Sequence, residues 1–233
     1  MPATEKNAPV NELLEGLATT RTIRRYTDEP VEEHDLGQML WHATRAPSGS
    51  NRQRVRYVVL RDSEPAIQAR AALGRSARAA WQHKEVADGY GTGSGATAGS
   101  PKSRMAATMQ HYVEHFHEAP VIVLVCLLRY RDANPYEGAS VYPAVQNLLL
   151  AARGLGYGGA VTMWQLPVEQ ELREILAIPD EAALSACITL GRPAGHHGPV
   201  RRRPLRDVVF DGQWGETAEW AVDPPDTQFT GWK

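Results

Sequence analysis

Ser140–Arg153, SVYPAVQNLLLAAR, is the stretch whose reading decides the fold. Val141, Ala144, Val145, Leu148, Leu149, Leu150, Ala151 and Ala152 leave no wide polar face at helical period. A helix apolar nearly all round must be covered on every side. The expectation is a central core helix capped by Ser140, with Pro143 in the tolerated first turn and Gly154 and Gly156 as its stop. Only Gln146 and Asn147 interrupt the apolar surface. If buried, their amides need hydrogen-bond partners, from backbone or from something bound nearby.

The surrounding chain can supply such a core. Its 233 residues are 42% hydrophobic and 22% charged, the balance of a globular chain holding one large domain or two small ones. With no internal repeat and no linker, 1–233 reads as a single α+β domain. The formal net charge of −2 offers no overall attraction to nucleic acid or to an anionic membrane. The opening MPATEKNAPVNELLEG lacks the apolar run of a signal peptide, and no stretch reaches spanning length, so the expected location is the cytoplasm. Cys126 and Cys187 sit in apolar runs as small core hydrophobes and do not suggest a disulfide framework.

Outward from the central helix, the order of elements is expected as follows. Val10, Leu13, Leu14 and Leu17 fit an amphipathic helix, and residues 32–45 fit a second, with Leu36, Met39, Leu40 and Ala43 on one face. The breaker-rich turn Ala46-Pro47-Ser48-Gly49-Ser50-Asn51 follows, then a strand over 54–61. Residues 63–81 read as helix. The low-complexity run 88–104 packs too few large side chains for a fixed element and reads as a mobile loop or lid. Met105, Met109, Tyr112 and Phe116 mark another helix, and 120–128 an unalternating strand buried on both faces. Beyond the central helix come a strand at 157–164, a short helix at 168–176 and a buried strand at 183–190. A candidate strand spans 207–210, and residues 211–233 form an extension expected to lie along another surface, such as a partner subunit.

Gly154-Leu-Gly-Tyr-Gly-Gly159 matches G-x-G-x-x-G, but it follows a helix and opens a strand, the reverse of a dinucleotide site. The glycines suit a helix stop and a close backbone approach. His111, His115 and His117 could put two imidazoles on one helical face, yet no third ligand stands in register, so a solvated face is the plainer reading. His196 and His197, between glycines, read as loop residues. Arg21, Arg24 and Arg25 form one basic cluster and Arg201–Arg203 another. No aromatic interleaving or wider basic face surrounds Arg201–Arg203, as a nucleic-acid surface would require. If the two clusters converge, their guanidinium forks would make a socket for a phosphate dianion.

In order along the chain, these segments resemble the FMN-dependent nitroreductase superfamily. Arg21-Thr22-Ile23-Arg24-Arg25-Tyr26 with Pro30-Val31 is similar to its R-S-x-R-x-F…P-V opening. Ala46–Gln53 is similar to its A-P-S-x-x-N-x-Q turn, Tyr142–Gly156 to its Q-N-L-L-L-A-A-x-x-L-G helix, and Arg202-Arg203-Pro204-Leu205 to its closing R-x-P-L. Thr20 stands where the family usually has arginine, and Arg54-Val55 where it has Pro-Trp.

The resemblance implies a mostly antiparallel sheet wrapped by helices in an intertwined homodimer, with FMN at the subunit interface. Arg21, Thr22, Ile23 and Arg24 would contact phosphate, ribityl or the pyrimidine edge, and Arg202 the phosphate. Pro47, Ser48, Gly49 and Asn51 would line the flavin, from this chain or the other, while Thr162, Met163 and Trp164 would pass near its reactive edge. No side chain need act as acid or base, because the flavin carries the electrons and the protein positions it and tunes its potential. The implied activity is NAD(P)H-dependent reduction of nitroaromatics, quinones or similar planar acceptors, in ping-pong fashion because both substrates use one flavin face. Alternatives are reductive dehalogenation, with Glu85, Tyr90 and Lys102 as a conceivable lid clasp, flavin fragmentation, or a flavin-binding module without turnover.

Overall fold

A computed structural model describes residues 13–230. Four strands form one antiparallel sheet in the order β1-β2-β4-β3: β1 (Val55–Leu60), β2 (Val121–Leu128), β3 (Gly158–Thr162) and β4 (Ala182–Gly191). Among the described residues six α-helices accompany it: α1 (Leu13–Thr19), α2 (Glu33–Ala43), α3 (Glu64–Ala87), α4 (Pro101–Glu114), α5 (Gly138–Gly154) and α6 (Glu169–Leu176). The mostly antiparallel α+β architecture is as expected.

Strand β2 is buried nearly throughout, as its lack of alternation requires. Ile122, Leu124 and Cys126 face the core shared with α3, α4 and α6, while Val121, Val123, Val125 and Leu127 face the core built with α2 and α5. Both cysteines are free, buried and strand-borne. Burial pushes the Cys126 thiol up to about 11 and the Cys187 thiol to about 12, which leaves both inert as thiolates.

The central helix departs from expectation at its start and on one face. It begins at Gly138, so Ser140 lies inside the first turn and its Oγ instead accepts from the Gly49 N–H at 3.1 Å. Pro143 consequently lies beyond the first turn. Val141, Val145, Leu148 and Ala152 pack on the sheet, but Tyr142 and Gln146 are exposed and Leu149 and Leu150 only half-buried. One face is therefore only partly covered by its own chain. Asn147 Nδ2 donates to the His42 carbonyl at 3.3 Å, whereas Gln146 faces a cavity. The glycine stop is as expected: Gly154 ends α5, and Gly156 takes φ 83°, where a side chain would be strained.

Other boundaries move. Val10 lies outside the described residues. Helix α3 runs on past Trp81 to Ala87, because Tyr90 packs on the Trp81 ring at 5.1 Å and holds the following turns against it. Helix α4 begins within the expected loop, its start fixed by Ser100, whose Oγ accepts from the Ser103 N–H at 3.0 Å. Residues 207–210 form no strand; a 3-10 turn at Leu205–Asp207 stands there, and Phe210 makes only an isolated bridge to Thr217. The C-terminal segment doubles back, with the Thr230 N–H donating to the Arg202 carbonyl at 2.8 Å. Among the described residues no helix is long and apolar enough to cross a membrane.

Candidate functional site

Two remote segments are laced together beside β3. The N–H groups of Thr27, Ala194, Gly198 and Val200 donate to the carbonyls of Arg192, Arg25, Thr19 and Ala18. The Ile23 N–H donates to Gly159 at 2.9 Å, which sets Thr22 alongside β3 in a parallel bridge. The arginine-bearing arms from opposite ends of the sequence thus meet on the edge of the sheet, next to the open face of α5.

Between them lies a cavity of about 1240 Å³ that Arg21, Thr22, Arg24 and Arg202 all line. Arg201, His196 and His197 join them, with Gln146 and Leu149 from α5 and Gly159 and Val161 from β3. Four arginines and two histidines thus face this space, and among the described residues no carboxylate does. In a chain of net charge −2 such segregation needs a cause. The Arg21 and Arg24 guanidiniums make no ion pair among the described residues, and the Arg202 Nη1 reaches only the Arg201 carbonyl at 2.9 Å. Arg25 turns instead to a second cavity with His111 and His115, and Arg203 does not line this one.

His197 escaped the sequence reading as a site residue. It is a loop residue as expected, but it is buried at 4% exposure. Its Nδ1 accepts from the Arg21 N–H at 3.3 Å, and its Nε2–H donates to the Tyr157 carbonyl at 3.0 Å. Burial holds its pKa below the usual imidazole value, helped by the positive charges of Arg153, Arg21 and His196 and opposed by the bond to Tyr157. The neutral ring is therefore the one that fits, and it pins the arginine arm to β3. Gly158 makes room: a Cβ there would meet Ile23 Cγ1 at 2.4 Å and His197 Nε2 at 3.0 Å. No local sequence signal marks His197, since its burial follows from the meeting of two distant segments.

The remaining predicted residues lie elsewhere in the single chain. Ile23 is buried and contributes its backbone. Pro47, Ser48 and Gly49 line a separate cavity at the N-terminal end of α5. Asn51 is exposed beside it in left-handed conformation, φ 50°, its Oδ1 accepting from Gln53 Nε2 at 3.1 Å. Thr162 Oγ1 donates to the Cys187 carbonyl at 3.4 Å. The Trp164 ring packs on Tyr112 and Phe116 at 5.4 and 5.0 Å, so it belongs to an aromatic cluster of the core. Met163, just past the end of β3, is 40% exposed, and its sulfur accepts from Gln165 Nε2 at 3.6 Å.

The other motifs resolve into surface and scaffold. The Gly154–Gly159 run links helix to strand as expected. His115 pairs with Glu118 at 2.7 Å, and among the described residues no group of three potential ligands could hold a metal. Lys102 stacks over Tyr90 at 5.5 Å, and Tyr90 in turn packs on Trp81, so these two meet each other.

Comparison with known proteins gives a consistent answer. Residues 17–192 match the model of the Nitroreductase family. A protein of Thermus thermophilus named NADH dehydrogenase is 30% identical over 88% of this chain and 98% of its own. Among solved structures, an iodotyrosine deiodinase bound to FMN and 3-iodo-L-tyrosine superposes with TM-score 0.63 at 25% identity, over 87% of this chain and 99% of that one. An FMN and NADPH-dependent nitroreductase from Sphigopyxis sp. strain HMH shares the fold, with TM-score 0.65 at 21% identity, over 86% of this chain and 99% of that one.

Proposed function

Since the chain belongs to the Nitroreductase family, we propose that it is an FMN-dependent oxidoreductase. It oxidises NADPH or NADH and reduces nitroaromatics, quinones or similar planar acceptors. The observation that carries this reading is the cavity lined by four arginines and no carboxylate among the described residues. Guanidinium forks without a carboxylate partner among the described residues suit a phosphate dianion. The volume, about 1240 Å³, exceeds the roughly 300–1,000 Å³ of ordinary small-molecule sites, so phosphate, ribityl and ring can share it.

Bound there, FMN would supply the redox chemistry that links oxidation of the nicotinamide to reduction of the acceptor. In this reading Arg202 and Arg21 hold the phosphate and Thr22 the ribityl chain. Arg24, half-buried on the same wall, puts a cation beside the edge of the ring that gains negative charge on reduction. Backbone N–H groups at Thr162–Met163 would hold the opposite edge. Pro101 and Met105, at the start of α4, also line the cavity, and this supports reading the adjoining 88–104 segment as its lid.

The assembly proposed is a homodimer closed over the open face of α5, where Tyr142 is 46% and nearby Val161 38% exposed. Its two-fold would bring the turn at 47–51 of one protomer to the flavin of its partner. The C-terminal extension, with Trp214, Trp220 and Val222 exposed, is proposed to pack on the partner as well. Because nicotinamide and acceptor share one face, the kinetics are ping-pong.

The test is direct. The purified protein is expected to be a yellow dimer that NADPH or NADH bleaches anaerobically and benzoquinone recolours, with parallel double-reciprocal plots. A colourless protein that takes up no FMN contradicts the reading. Likeness to the deiodinase favours one second reading, reductive dehalogenation. Halide release from 3-iodotyrosine, faster than quinone reduction, would select it. A bound flavin that neither NADPH nor NADH bleaches would leave a flavin-binding module without turnover.

A further inference from the structure

The cavity at the N-terminal end of α5 differs from the arginine socket in size and lining. Its volume is about 320 Å³, the scale of a single-ring ligand rather than a dinucleotide. One wall is the turn Pro47-Ser48-Gly49, and Leu127 and Leu128 at the end of β2 supply apolar surface. Four arginines line it: Arg52, Arg54, Arg129 and Arg131. Its one carboxylate among the described residues, Glu137, is already engaged. Arg129 Nε and Nη2 hold its two oxygens at 2.9 Å each, and this pairing keeps the Glu137 carboxyl below the usual carboxylate range.

Three guanidiniums are left around one ring. Arg52, Arg131 and Arg54 stand 4.3, 5.2 and 5.3 Å from the centre of Tyr130, itself half-exposed. Arg54 is fixed by its Nε–H bond to the Leu128 carbonyl at 3.0 Å. The side chains of Arg52 and Arg131 make no hydrogen bond or ion pair among the described residues. The tyrosine face offsets part of the mutual repulsion of these cations, and an anion among them would offset the rest. Their forks match a carboxylate, and the leucines and Tyr130 match the body that carries it.

We propose that this cavity is an acceptor subsite selective for anionic planar ligands, namely aromatic carboxylates clasped by Arg52 and Arg131. The proposal rests on the flavin reading above, because Pro47, Ser48 and Gly49 wall this cavity and are there assigned to the flavin. A ligand anchored by its carboxylate at Tyr130 extends its far end past that turn toward the ring. Pyridine nucleotides carry anions too, but their bulk does not suit this space, so the charge recognised is the acceptor's.

The test compares 4-nitrobenzoate with 4-nitrobenzamide, of the same shape and without the charge, on the FMN-loaded protein. The wild type is expected to favour the carboxylate at least tenfold in kcat/KM, with the preference shrinking as salt is raised. Arg131→Gln and Arg52→Gln each lower the carboxylate-to-amide ratio about tenfold, and Arg131→Lys restores part of it. Calorimetric binding of 4-nitrobenzoate follows the same order. Equal losses on both acceptors, or a change confined to the KM for NADPH, overturn the proposal. The two readings fail separately. A yellow protein that reduces benzoquinone without preferring the carboxylate sinks this subsite and leaves the flavoenzyme standing. A protein that never binds FMN but still binds 4-nitrobenzoate through Arg131 does the reverse.

Discussion

Helix α5 has two largely apolar faces in different surroundings. Val141, Val145, Leu148 and Ala152 are sealed against the sheet, while Tyr142 and Gln146 are exposed and Leu149 and Leu150 only half-buried, with Gln146 and Leu149 lining the arginine cavity. Apolar content alone identifies both as surfaces to be covered. It does not say whether the cover is the same chain, a second copy or a ligand. The closed face belongs to folding; the open face, in the proposed dimer, belongs to assembly and cofactor binding.

The sharpest way to break this contrast is to charge the open face. Leu149→Lys puts an unpaired cation into the proposed interface and should remove on the order of 3–5 kcal/mol of dimer stability. Sedimentation should then show a monomer that has lost FMN; an unchanged dimer would show that the open face is not the interface. On the closed face, Leu148→Ala should cost about 2–5 kcal/mol in urea unfolding, because the side chain is fully buried. That loss should not depend on protein concentration, whereas the milder Leu149→Ala should matter less as the protein is diluted.

A smaller effect is expected at the socket. Arg202→Ala removes a charged hydrogen bond and should weaken FMN retention by about 1.5–3 kcal/mol while leaving the urea midpoint of the flavin-free protein in place. Flavin titration against denaturation separates the two.

The smallest effect concerns His197. Its folded pKa lies below that of a free imidazole, so its contribution is intact above about pH 6.5 and is lost as pH falls toward the folded value. Protonation of Nδ1 forfeits the bond from the Arg21 N–H. The wild type should therefore lose thermal stability and FMN affinity below about pH 6.5 more steeply than His197→Gln. His111, also depressed by burial, titrates in the same window and cancels in the difference. Parallel pH profiles for the two proteins would remove the clamp.

Much of this arrangement was legible in the sequence because its signals are local. The unalternating run of β2, the helix–strand order around Gly154–Gly159 and the two arginine clusters are each visible in one window. Their convergence could only be posed as a condition, since it depends on arms from opposite ends of the chain pairing beside β3. His197 was missed for the same reason. Trp164 was placed near the flavin by the family resemblance; in the fold it follows β3 in a turn, and its ring packs on Tyr112 and Phe116, a packing that no local signal announces. Ser140 carries every sign of a cap, but the helix starts further upstream and the hydroxyl serves Gly49 instead. The start of α4 was hidden by composition: the glycine-rich run ends in Ser100-Pro101, a cap and first-turn pair that a low-complexity reading overlooks.

The arginine cavity can be tested without any acceptor. Titrating the full-length protein with FMN and with riboflavin compares ligands that differ only in the phosphate. At least about tenfold tighter binding of FMN is expected, the worth of one charge-assisted hydrogen bond or more. Equal affinity for the two would mean that the arginines brought together from both ends of the chain hold no phosphate.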